Sequence, residues 1–490
     1  MSDARMTRRD ALGTMAAGLA SLGAHSGATA PVVPSRPQAA ELVIRGGRIV
    51  NADGTRVADI RILDGVITGI GANLRPGPGG RVMDATDRLV LPGGIDPHTH
   101  LQPAFVDDLT SGSMAALAGG ITTVGTFAAP RQGETPLDAV ERLAGLVGTD
   151  AIADVILHVS AWPPTPELAT MMPALAERGQ PSFKVFMTRA DFGAHLPGLI
   201  GLLEAARDAG VVTMVHCEDG ALLAAAVRRL EAEGRTALRW YGESRPVVAE
   251  VAATHQAAAL CESTRAPMYV VHLSSARALQ ACASPRAASL PFWVETRPLY
   301  LHLTDERMSG PDAALHVGQP PLRTPADAEA LWQGIISGAI DVLATDHAPW
   351  TRSQKLDPAL TVSRVRPGVS NLQFMLPMYF SEGVGKRGLS LERFVATTST
   401  NAARIFGLYP TKGVIREGAD GDVVIWDPAR SDVIRADVDL SKSDYTVFEG
   451  WRVTGWPIAT IRRGDVVFEN GAVTGSPGSG RLIARQRWRP

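Results

Sequence analysis

Between about Gly93 and about Lys412 the chain alternates short apolar, strand-like runs with helix-like stretches, and it does so eight times. That alternation constrains the fold more than any other feature. Parallel strands cannot be joined by a tight turn, so strand, helix and strand in repetition describe a parallel sheet wrapped by helices. The candidate strands are Leu89–Asp96, Thr122–Phe127, Asp154–Ser160, Ser182–Met187, Val211–His216, Met268–His272, Phe292–Thr296 and Asp341–Asp346. Eight of them point to an α/β fold of the (β/α)8 TIM-barrel kind, for which a span of about 320 residues is within range. A doubly wound open sheet is the alternative, but no Gly-x-Gly-x-x-Gly follows the first strand.

The flanks read differently. Residues 41–92 hold short alternating strands, with Asp64-Gly65 between two of them as a hairpin signal, and a similar pattern returns in 413–475. The two stretches are expected to complete one small β-sandwich domain from opposite ends of the chain, followed by a C-terminal tail over 476–490. Residues 31–40, rich in Pro and Ala, read as a linker. Ahead of them, Thr7-Arg8-Arg9-Asp10 precedes the weakly apolar run Ala11–Ala24. Residues 1–30 resemble a twin-arginine export signal, which implies a periplasmic or secreted address. No run of about 20 apolar residues provides a membrane anchor.

Composition narrows the function classes. The formal charge of −2 over 490 residues, without a long basic run, gives no reason to expect nucleic acid as a partner. Cys217, Cys261 and Cys282 are too few and too irregularly spaced for a disulfide framework or a zinc ribbon, and are expected as buried thiols.

The strand ends carry the chemistry, because a barrel of this kind presents its active site at the C-terminal ends of its strands. The first ends in Asp96-Pro-His98-Thr-His100, the fifth in His216-Cys-Glu-Asp, the sixth in His272-Leu-Ser-Ser and the eighth in Thr345-Asp346-His347. The fourth contains Lys184 within an apolar run, where an unpaired ammonium would cost several kcal/mol, roughly, unless it finds water, a partner or a chemical change. On an extended segment His98 and His100 project to one side and can grip one ion together. Four histidines, one aspartate and one lysine at five strand ends are hard to explain by packing.

Gly94-Ile-Asp-Pro-His-Thr-His-Leu101, Ser182-Phe-Lys-Val-Phe-Met187, Val215-His-Cys-Glu218, Val271-His-Leu-Ser-Ser275, Pro320-Pro-Leu-Arg323 and Ala344-Thr-Asp-His-Ala-Pro349 resemble, in order, the motifs of the cyclic amidohydrolases. Within these the resemblance is to dihydropyrimidinases and D-hydantoinases, over nearly all of residues 41–480. It implies a lysine, Lys184, carboxylated by carbon dioxide and bridging two divalent metal ions, with zinc the expected metal. His98, His100, Lys184 and Asp346 would hold one ion, and Lys184, His216 and His272 the other. It implies further a metal-bridging hydroxide that attacks a ring amide, Asp346 as general base and acid, an N-carbamoyl amino acid as product, and a homodimer or homotetramer. The small-molecule partner would be a cyclic amide or ureide.

Three positions depart from the family pattern. Arg189 stands where these enzymes carry a substrate-side tyrosine, Gln319 replaces a serine, and Arg364 falls at the place of a substrate-side asparagine when counted back from Pro367-Gly368. Arg189 is expected to stabilise the developing oxyanion, to bind an anionic substituent, or to turn outward to solvent. Two other classes compete with the hydantoinase reading. A dihydroorotase or allantoinase activity is one, although Gln102 occupies the position of the arginine that binds carboxylate in dihydroorotases. A non-catalytic scaffold is the other, although such relatives lose metal ligands and this chain keeps all six.

Overall fold

The computed structural model describes residues 41–160 and 162–490, so the twin-arginine-type leader and the linker lie outside the described residues. Eight parallel strands form one sheet in chain order: β1 (Gly94–Thr99), β2 (Ile121–Ala128), β3 (Asp154–Ser160), β4 (Ser182–Phe186), β5 (Val212–His216), β6 (Met268–Val270), β7 (Phe292–Thr296) and β8 (Val342–Leu343). The sheet closes where Thr99 bridges His347 in parallel and the His100 amide donates to the His347 carbonyl at 2.7 Å. This is the expected barrel. Ile95, Phe127, Ile156, Met214, Tyr269 and Ala344 form a core cluster with Phe406.

The connecting helices carry their own start and stop signals. Pro136–Asp150 begins with a capping box between Thr135 and Asp138, and Pro325–Ser337 with one between Thr324 and Asp327; each has proline early in its first turn. Leu196–Ala209 stops at Gly210 and Pro325–Ser337 at Gly338, both with positive φ.

Three of the expected strands differ by more than one residue at an end. Leu89–Asp96 is divided at Gly93: Leu89–Pro92 pairs antiparallel with Val423–Trp426 outside the barrel, and Gly94 begins β1. A Cβ on Gly93 would lie 2.2 Å from Thr122 Oγ1, so only glycine lets the chain pass this close between the two sheets. At the other ends, β6 stops at Val270 and β8 at Leu343. The ladder yields there to left-handed residues, His272 at φ 39° and Asp346 at φ 47°.

Two further sheets enclose a separate core. A four-stranded sheet orders Val66–Gly71, Asp59–Leu63, Leu42–Arg45 and Arg81–Asp84. A seven-stranded sheet orders Ala472–Val473, Asp465–Glu469, Arg452–Arg462, Val423–Val433, Leu89–Pro92, Arg48–Asn51 and Gly54–Val57. The Asp64-Gly65 turn joins Leu63 to Val66 as expected, both turn residues at positive φ. Ile44, Ile60, Ile62, Val90, Val423, Ile425 and Ile461 fill the space between the sheets.

The start of β3 meets this β-domain through buried charge. Lys412 Nζ lies 2.8 Å from Asp154 Oδ2, 2.7 Å from Asp422 Oδ2 and 3.0 Å from Asp420 Oδ2, and Arg463 pairs with Asp154. The three carboxylates are close enough to suggest an ion site, but the ammonium already serves as their counter-charge. Residues 476–490 run alongside: Leu482 bridges Val155, and Arg485 donates to Leu157 O at 2.7 Å and Ser182 Oγ at 2.8 Å.

Removing one partner from a buried ion network leaves the others uncompensated. Lys412→Met should therefore destabilise the protein by about 3–5 kcal/mol in urea denaturation, against less than about 1 kcal/mol for the exposed Lys386→Ala. Equal small losses in both variants would show that the network contributes no more than a surface pair.

Candidate active site

The strand ends converge on a cavity of about 130 Å³ whose lining includes His98, His100, Lys184, His216, His272 and Asp346. That is room for about four waters, the scale of a small ring. All six residues named from the sequence as ligands are therefore brought together. The tightest cluster is His98, His100 and Asp346, whose donor atoms all lie within 4.8 Å of one another. Asp346 Oδ1 lies 2.9 Å from His100 Nε2 and 3.3 Å from His98 Nε2. The rings of His216 and His272 touch at 4.4 Å between centroids, and His272 is 5.4 Å from His98.

Lys184 is 1% exposed on β4, with Nζ 3.4 Å from His98 Nε2 and the rings of Phe127 and Phe186 at 5.4 and 5.5 Å. It makes no ion pair with a carboxylate among the described residues. Burial brings its ammonium down to about 8, against which Glu295 and Asp346 pull only in part. Burial also keeps His98 and His272 well below the ordinary imidazole range, and His216 below it. Burial opposes ionisation of Asp346 as well, but Arg297, His98 and His100 outweigh it and hold the carboxyl well below its usual value. The site thus offers the neutral imidazoles of His98, His216 and His272, one ionised carboxylate and an amine that gives up its proton more readily than an ordinary lysine.

This donor set fits divalent metal. His272 Nδ1 is buried without a hydrogen-bond partner, an orphan that a cation would satisfy. Other ring nitrogens are turned by carboxylates: His98 Nδ1 meets Glu295 Oε1 at 2.8 Å, which leaves Nε2 for the cavity, and His216 Nε2 meets Glu218 Oε2 at 2.7 Å. Glu295 Oε1 also accepts from the His272 amide at 2.8 Å, and Glu218 is held by the fork of Arg245.

Of the three departures, only Gln319 lines the cavity, beside Pro367 and Gly368. Arg189 is half-exposed, 3.3 Å from Asp191 and stacked over Trp162 at 5.4 Å, and Arg364 is exposed in a turn with Thr361. His347, next to Asp346 in the chain, is fully buried and bonded to Asp107 at 2.8 Å. Its carbonyl receives the His100 amide, so it supports His100 through the backbone. The cysteines are free and buried, as expected. Sequence reasoning passed over Glu295, although the signal that singled out Lys184, a charge within an apolar strand, applies equally to it. Arg297 was passed over as well.

Because Glu295 orients His98 and fixes the backbone of His272, Glu295→Ala should weaken metal binding by about 10- to 100-fold in a chelator competition assay. Affinity within twofold of wild type would mean that packing alone sets the two rings.

Residues 89–467 match the model of the Amidohydrolase family. The D-hydantoinase of Geobacillus stearothermophilus is 36% identical over 456 residues, covering 91% of this chain and 97% of the relative; that of Rhizobium radiobacter is 33% identical over 460 residues, covering 92% and 100%. A solved D-hydantoinase superposes with a TM-score of 0.87 at 34% identity over 92% of this chain and 100% of the other, and the L-hydantoinase of Arthrobacter aurescens with 0.82 at 27% over 91% and 99%. A barrel with its ligand-type residues gathered at the strand ends, matched over its whole length in sequence and in shape, places the chain in the amidohydrolase family, among the hydantoinases and dihydropyrimidinases.

Proposed function

We propose that this cyclic amidohydrolase opens a ring amide of the hydantoin or dihydropyrimidine type to an N-carbamoyl amino acid. The observation that carries the reading is the convergence of neutral imidazoles, Asp346 and a buried, unpaired lysine on one small cavity. Two divalent ions, with zinc expected, would be held by His98, His100, Lys184 and Asp346 and by Lys184, His216 and His272. When bound, they supply Lewis acidity and a water-derived nucleophile at neutral pH.

The chain's own residues do the remainder. Burial leaves Lys184 enough neutral amine for its nitrogen to bond to the carbon of carbon dioxide with release of one proton. The resulting carbamate anion answers the question raised by a lysine in an apolar strand. Phe105 and Phe186 line the cavity and limit its water. Asp346 faces the same space from the end of β8. It takes the proton from the attacking water and passes it to the departing ring nitrogen.

Two observations weigh against the competing classes. The Gln102 amide is committed to Phe127 O at 2.7 Å, so nothing at that position replaces the carboxylate-binding arginine of dihydroorotases. A scaffold has no need of six ligand-type residues around one cavity.

Purified protein supplied with zinc and bicarbonate is expected to open hydantoin or dihydrouracil in preference to dihydroorotate and allantoin, followed by loss of ring absorbance. Turnover of none of the four would sink the proposal. Lys184→Ala should lower turnover by about a thousandfold or more, with partial rescue by small carboxylic acids and loss of the carbamate carbon signal after labelling with ¹³C bicarbonate. Normal turnover in that variant would exclude the carbamate. Export belongs to the same proposal: with Arg8 and Arg9 both changed to lysine, active protein should stay in the cytoplasm. An unchanged distribution would remove the twin-arginine route.

A further inference from the structure

Arg297 is a buried cation beside the ligand cluster to which the proposed reaction gives no task. It directly follows β7 and is 0% exposed. Nε donates to Thr345 O at 3.1 Å and Nη2 to Asp346 O at 3.4 Å, so the guanidinium is tied to the backbone of the residue whose side chain it faces. Nη1 lies 2.8 Å from Asp346 Oδ2 but makes no aligned hydrogen bond, so that contact is one of charge. Asp346 is thereby divided. Oδ1 faces His98 and His100, and Oδ2 faces a cation that cannot be deprotonated.

The other side of the site is built differently. The cation behind His216 is Arg245, and it is neutralised by its two-pronged contact with Glu218, which itself turns the ring. Among the described residues no ion pair of that kind offsets Arg297 except Asp346 itself, the carboxylate that a metal would need. A fixed charge in a buried site acts at low effective dielectric, so it is felt by any second cation nearby.

We propose that Arg297 makes the two metal positions unequal, weakening the one built on His98, His100 and Asp346 relative to the one built on His216 and His272. The protein then holds one ion firmly and fills the second position only at higher free metal. This rests on the metal-dependent reading above and goes beyond it.

The test needs no turnover. Protein stripped by chelator and returned to bicarbonate buffer is titrated with Co²⁺, read by its absorption bands, and with Zn²⁺ against a competing chelator. Wild type should take up two ions in two steps separated by about tenfold or more. His100→Ala should remove the weaker step and His272→Ala the tighter one. Arg297→Met should tighten the weaker step by about tenfold or more and leave the other within about threefold, whereas Arg297→Lys, which keeps the charge, should preserve the separation. A single step for both ions in wild type would overturn the proposal, and so would a weaker step that Arg297→Met leaves in place or weakens. If circular dichroism shows that Arg297→Met does not fold, Arg297→Gln, which removes the charge and keeps a side-chain donor, is read by the same outcomes. Two resolved steps, the weaker one tightened by loss of the Arg297 charge, in a protein that opens no ring would count against the proposed reaction and leave the role of Arg297 standing. A chain that binds no ion would overturn both.

Discussion

Closure of the parallel sheet between Thr99 and His347 is the constraint on which the rest of the site depends. Through it His100 and Asp346, 246 residues apart in the chain, come to share a contact at 2.9 Å. An open sheet would leave His98 and His100 on one edge and Asp346 on the other. Closure also gathers every strand end on one rim, where each contributing side chain faces a common space too small for much water. The backbone departs from the ladder at that rim, and the two residues that do so with positive φ, His272 and Asp346, are both ligand-type. Non-glycine residues held there store strain of the kind found at functional sites.

Three buried lysines show how the surroundings decide what an ammonium is for. Lys412 sits among three carboxylates, which push its proton affinity up and make it a lock between barrel and β-domain. Lys355 donates to the carbonyls of Val317, Arg366 and Gly368 at 2.8 to 2.9 Å, and so ties together two segments that supply Gln319, Pro367 and Gly368 to the cavity wall. Burial lowers Lys184 as it lowers Lys355, but Lys184 has imidazoles and aromatic rings around it where Lys355 has three carbonyls. The first two ammonium groups are saturated by their partners. The third is left available for chemistry.

Much of the site was legible because a barrel strand is short and ends at a fixed place. In a chain with eight apolar runs, His98, His100, His216, His272 and Asp346 stand at their ends by position alone, and Lys184 stands out as a charge in an apolar run. Glu295 carried the same mark and was passed over because acidic residues in buried strands have no motif to announce them. Arg189 and Arg364 drew attention by their place in a motif, yet their side chains lie at Asp191 and in an exposed turn. Spacing from Lys184 or from Gly368 fixes where a residue sits along the chain, and only the fold fixes which way its loop turns.

By itself, the sequence determined the barrel, the two-part β-domain and the six residues at the rim, because hydrophobic periodicity and strand-end position are local properties of the chain. Tertiary structure decided the rest. It cut the first expected strand at Gly93, where a Cβ would strike Thr122, and ended the sixth and eighth at residues that leave the ladder. It set Glu295 behind His98, and it brought Arg297 from the end of β7 against Asp346 beyond the end of β8. Those contacts join residues far apart in sequence, and the energy of a buried charge is fixed by what the fold places around it.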